Sequence, residues 1–121
     1  MTYRPINLAQ KFSLIDAPWS PKVIAQMNDY EFKLVRLHGD FVWHDHADTD
    51  ETFIVFEGEV RIDFPDGTVT LGPGEMFVVP KGLSHKPYAP HPALVMLIEP
   101  AGVVNTGQVG GALTAPQDEW I

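Results

Sequence analysis

Cysteine is absent from the 121-residue chain, which removes disulfides and thiolate ligands from consideration. Basic residues are scarce, eight against sixteen acidic ones, giving a formal charge of −8. A polyanion would be repelled, so nucleic acid and anionic membrane surfaces are excluded as partners. Long apolar runs are missing too. A stretch such as Ala93–Ile98 is far short of the ~20 residues that span a bilayer. Met1–Lys11 lacks an apolar segment of signal-peptide length, and the expected location is the cytoplasm. With no internal repeat, low-complexity tract or linker, 121 residues at 45% hydrophobic content suit one domain with a substantial core.

What remains is mainly β-patterned. Leu8, Phe12 and Ile15 fall at helical intervals and predict a short helix within Asn7–Ile15, ended by Pro18 and Pro21. Beyond it, Lys22–Met27 and Tyr30–Leu37 alternate apolar and polar residues around an Asn28-Asp29 turn. Thr52–Phe56, Glu59–Phe64, Thr68–Leu71, Met76–Val79 and Ala93–Ile98 read as further strands. Asp66-Gly67 is a hairpin signal, and Gly72-Pro73-Gly74 forces another turn. Short strands punctuated by turns describe a sandwich or a barrel. The pattern fades after Pro100, yet the chain finishes on Trp120-Ile121, which must be covered by its own barrel or by a dimer partner.

Three of the five histidines fall in an informative arrangement. His44 and His46 have period-two spacing and share a face on a strand, Glu51 follows closely, and His85 lies far downstream after a turn. Imidazole with carboxylate suits first-row divalent ions.

The segment from Gly39 through His44, His46 and Glu51 to Gly58 resembles the first motif of the cupins, G-x5-H-x-H-x(3,4)-E-x6-G. Gly74 through Pro80 and Gly82 to His85 resembles the second, G-x5-P-x-G-x2-H-x3-N. Two positions depart: four residues, not five, separate Gly39 from His44, and Ala89 stands where the motif ends in asparagine. Neither is a ligand position in that family. The resemblance covers about residues 30–100. It implies an all-β, double-stranded β-helix (jelly-roll) barrel, here with a short N-terminal helix. It also implies one divalent metal on His44, His46, Glu51 and His85, with two coordination positions open.

Around that site, the parity set by Glu51 turns Phe53 and Val55 inward, with Met76 and Met96 as further lining. Trp43, next to His44, should point away from it. Arg36 is a candidate anchor for a substrate carboxylate and His91 a candidate base, although His38 and His91 match no motif position. The donor set ranks manganese first and iron(II) second. Zinc and nickel follow as ions that intrinsic affinity would load into a recombinant sample. Two functions follow: a metal-dependent enzyme acting on a small organic acid or sugar-like molecule, or a non-catalytic cupin that binds or senses a small ligand. Exposed sheet edges and the family resemblance both favour a homodimer.

Overall fold

The computed structural model describes residues 1–121. One short helix, α1 (Leu8–Ser13), precedes seven strands: β1 (Lys22–Met27), β2 (Tyr30–Asp40), β3 (Glu51–Glu57), β4 (Val60–Phe64), β5 (Gly67–Leu71), β6 (Met76–Val79) and β7 (Lys86–Pro100). All strand pairs are antiparallel, in the order β1-β2-β7-β3-β6, with β4 joining β5 to the start of β7. β7 is therefore the element that closes the barrel. Its end pairs with β2 and β3, while Lys86–Tyr88 pair with β4.

β7 extends seven residues upstream of the expected Ala93 start. Pro87, Pro90 and Pro92 hid it, because proline cannot donate to a ladder. Two of these prolines fall where the ladder tolerates them: between Leu37↔Ala93 and Gly39↔Ala89, β7 spends Pro90, His91 and Pro92 against the single residue His38. The β4–β5 turn also differs slightly. Its central residues are Pro65-Asp66, and Gly67 begins the return strand paired with Phe64.

Inward positions of the strands make the main core, including Val35, Leu37, Phe53, Val55, Ile62, Val95 and Leu97. Gly58 is required where β3 meets this core, since at φ +85° a Cβ would sit 3.0 Å from Ala93. A second cluster lies outside the sheet, where Phe12 and Ile15 cover Ile24, Leu34 and Met96. Asn7 caps α1 by accepting the Gln10 N–H at 2.9 Å. The other end is closed by Arg36, which donates to the carbonyls of Ile15 (2.5 Å) and Phe12 (3.0 Å).

Residues 101–121 pack back on their own barrel. Val23 pairs with Trp120: its N–H donates to the Glu119 carbonyl, and its carbonyl accepts from Ile121. Ile121 joins the outer cluster, while Trp120 stays half exposed.

Candidate metal centre

The two motifs are stitched together by backbone hydrogen bonds. His44 and His85 form an isolated antiparallel bridge, with N–H to O distances of 3.0 and 2.9 Å. Gly82 N–H donates to the His46 carbonyl at 2.9 Å, and Lys81 N–H to Asp50 Oδ1 at 2.8 Å. Glu51 opens β3 on its inward face. His46 is thus placed by the loop's ties to the second motif; the H-x-H segment is not a continuous strand.

All four side chains are buried, and one donor atom from each lies within 4.8 Å of the others. His44 Nδ1 is 2.9 Å from the Val42 carbonyl and His85 Nδ1 is 2.8 Å from that of Leu83. A carbonyl only accepts, so both Nδ1 atoms carry the proton and both Nε2 atoms offer a lone pair. Nε2 of His46 and of His85 each lie 3.5 Å from Glu51 Oε1, and both are buried without a hydrogen-bond partner. Buried polar atoms seldom remain unpaired. Converging lone pairs beside a carboxylate fit a divalent cation, and this cluster could hold one.

The electrostatics agree with that chemistry. Burial, reinforced by His85, lowers the His44 pKa to about 4, so the ring is neutral near pH 7. Burial pushes Glu51 upward, but the adjacent imidazoles of His46 and His85 outweigh it and hold the carboxylate well below its usual range.

Beside Glu51 lies a buried charged group that the sequence reading missed. Lys33 donates to Glu99 at 3.0 Å and lies 3.7 Å from Glu31, with all three residues buried. Burial and the neighbouring Glu51 push Glu99 well above the usual carboxylate range. The signal was present: Glu31 and Lys33 share strand parity with Val35 and Leu37, and Glu99 shares it with Val95 and Leu97.

A narrow cavity of about 30 Å³ adjoins His44 and Glu51, walled by Trp19, Val35, Leu37, Phe41, Phe53 and Leu97, with Asn105 at its edge. Phe53 lines it as expected. Val55 faces inward but sits deeper in the core. Trp43 points outward and is half exposed. Trp19 and Asn105 carried no sequence signal, because both come from irregular segments.

Four expected lining residues are placed elsewhere. Arg36 is on the outward face of β2, since its neighbours Val35 and Leu37 take the inward one, and its guanidinium is spent on α1. Met96 packs under α1 in the outer cluster for the same reason of parity. Met76 pairs with Ile54 on the outer face and is 54% exposed; Phe77 and Val79 hold the inward register of β6. His91 is exposed on the irregular stretch of β7.

With this fold and cluster in view, comparison with known proteins is decisive about class. Residues 34–99 match the Cupin_2 family, a cupin domain, and the chain belongs to that family. It is similar to a cupin-2 domain containing protein from Shewanella frigidimarina NCIMB 400, with 59% identity and a TM-score of 0.77 over 78% of this chain and 93% of that one. A Neisseria meningitidis protein of solved structure is 37% identical, with a TM-score of 0.74 over 81% of this chain and all of its own. The uncharacterized protein YdbB of Bacillus subtilis (strain 168) is 42% identical over 64 residues, 52% of this chain; the match spans 57% of that relative's length.

Proposed function

We propose that the chain is a metal-dependent enzyme whose substrate is a small oxygen-bearing molecule with a largely apolar body, bound beside the metal. The observation that carries this is the pair of unpartnered, buried Nε2 atoms of His46 and His85 around Glu51, next to the apolar cavity at His44. A divalent ion on three imidazoles and one carboxylate supplies a Lewis acid with positions open to an oxygen donor. The protein's part is to fix the Nε2 lone pairs through the carbonyls of Val42 and Leu83 and to exclude water with Phe41, Phe53 and Leu97.

The wall narrows the substrate class. Lining the cavity, the only side-chain amide is that of Asn105, and its amide is already hydrogen-bonded to protein. A sugar would leave several hydroxyls unpaired against Phe41, Phe53 and Leu97, which is costly. A phenol or a small acid with an apolar body fits better. Manganese or iron(II) suits the donors, with zinc and nickel as ions acquired on expression. A homodimer is supported by Phe56, Met76 and Val78, exposed together on the outer face of β3 and the edge strand β6.

Elemental analysis of tag-free protein, purified without a nickel column, tests the central point beside a His44→Ala, His85→Ala variant. About one manganese or iron per chain, lost in the variant, is the expected result. No metal in either sample, with both folded, overturns the reading. Metal-loaded protein that binds phenols or acids without turning any of them over would instead be a ligand-binding cupin.

A further inference from the structure

Two recesses adjoin the four clustered side chains, and the same stretch of the C-terminal segment borders both. The cavity at His44 and Glu51 has Asn105 on its wall. On the other flank, a groove of about 240 Å³ at His46 is lined by Gly102, Val103, Val104, Gly107 and Gln108. The segment crosses between them against the loop that carries two of the histidines. Gly107, at φ +61°, lies so close to the Asp45 carbonyl that any Cβ there would overlap it.

Asn105 fastens this crossing. Its Nδ2 donates to the carbonyls of Trp19 (3.0 Å) and Leu113 (2.9 Å), and its Oδ1 accepts the Ala115 N–H (2.9 Å). Thr106, fully buried, bonds the Thr114 hydroxyl at 2.7 Å. Beyond the crossing the chain is anchored at both ends, by the Ala101 N–H on the Asp29 carbonyl and by the pairing of Val23 with residues 119–121. Movement between those anchors therefore does not require the barrel to open.

Size makes such movement necessary. A cavity that holds a single aromatic ring is about 150 Å³, whereas the space beside His44 is about 30 Å³. We propose that residues 102–114 form a gating strap over the metal centre, latched by Asn105, and that an organic occupant enters the cavity at His44 only when the strap lifts. This rests on the metal reading of the site, and it adds the route of entry and the residue that controls it.

The test uses full-length protein loaded with cobalt(II), whose visible absorption reports ligands, mixed rapidly with azide or with 4-nitrocatechol. In the unaltered chain the rate with azide should rise linearly with concentration, while the rate with 4-nitrocatechol should level off at the strap-opening rate. Asn105→Ala should raise that plateau at least ten-fold, while the azide rate stays linear in concentration. A linear 4-nitrocatechol rate that is equal in both proteins overturns the proposal. If the unaltered chain does not retain about one cobalt ion, the metal reading itself fails. In that case, or where azide does not perturb the retained cobalt, hydrogen exchange of metal-free protein decides the strap. There, residues 102–114 should exchange at least ten-fold faster in Asn105→Ala while β2 and β7 are unchanged; no difference in the strap overturns the proposal. Should Asn105→Ala not fold, Thr114→Val at an exposed position removes the Thr106 bond and should speed strap exchange at least three-fold, with an unchanged rate again overturning it.

Discussion

His44 and His85 face each other across a bridge in which each donates its backbone N–H to the other's carbonyl, at 3.0 and 2.9 Å, with ring centroids 4.3 Å apart. Residues more than forty positions apart are thereby held as a rigid pair. Both rings are fixed in the same tautomer by carbonyls two residues upstream. Such an arrangement has a cost, because protonating His44 would place a charge in a buried site.

That cost gives a pH prediction for metal-free protein. The folded-state pKa of His44 is lowered to about 4 from 6.5, so between these values the unfolded chain binds more protons. The contribution of His44 to stability must then fall by about 2 kcal/mol between pH 7 and pH 5, while Glu99, with its raised pKa, contributes in the opposite direction. Urea denaturation of the unaltered chain and of His44→Asn at the two pH values should show it as the difference between their pH dependences. An equal slope in that variant would assign the effect to another group.

Lys33 lies among the acids Glu31, Glu99 and Asp118, with Glu51 beside Glu99. Lys33→Met leaves Glu31 and Glu99 buried without their counter-charge and should cost about 3 kcal/mol. Adding Glu99→Leu should recover much of the loss, since an apolar pair can replace a buried ion pair. A double variant no more stable than the single one would show that the ion pair is not what holds these residues together.

Gly58 combines φ +85° with a Cβ position 3.0 Å from Ala93. Gly58→Ala should therefore lose about 2 kcal/mol, from backbone strain and a displaced β7. Gly74, also at positive φ (+82°), has open space around its Cβ position, so Gly74→Ala should cost less. Thermal or urea melts of the two variants check the order; equal losses would mean that the packing against Ala93 is easily relieved.

Arg36 separates a structural role from a functional one. Its donors close the end of α1, so Arg36→Ala should lower stability by about 1–2 kcal/mol and leave metal content unchanged. Weakened binding of acids at unchanged stability would return Arg36 to the substrate site.

The residues of the buried His/Glu cluster were legible because the two cupin motifs are local patterns. His44, His46, Glu51, His85, the inward turn of Phe53 and the outward turn of Trp43 could all be read along the chain. Strand parity also contained the correct placements of Arg36 and Met96, on the face opposite Val35, Leu37, Val95 and Leu97. The sequence likewise signalled strands β1 to β6 and the helix, whose apolar spacing and prolines are short-range facts.

Tertiary structure alone decided the rest. Pro87, Pro90 and Pro92 argue locally against a strand, yet β7 runs through them: Pro90 and Pro92 fall in a stretch out of register with β2, and Pro87 pairs with Ile62 and uses only its carbonyl, accepting from Phe41. Nothing near Asn105 or Trp19 in sequence marks them as walls of the site, since the contacts that place them join irregular segments 86 residues apart. The strap's position over the histidines follows from backbone carbonyls at Trp19 and Asp45 that exist only once the barrel has closed. Side-chain periodicity is written along the chain, whereas hydrogen bonds between irregular loops are set by where the folded barrel brings them.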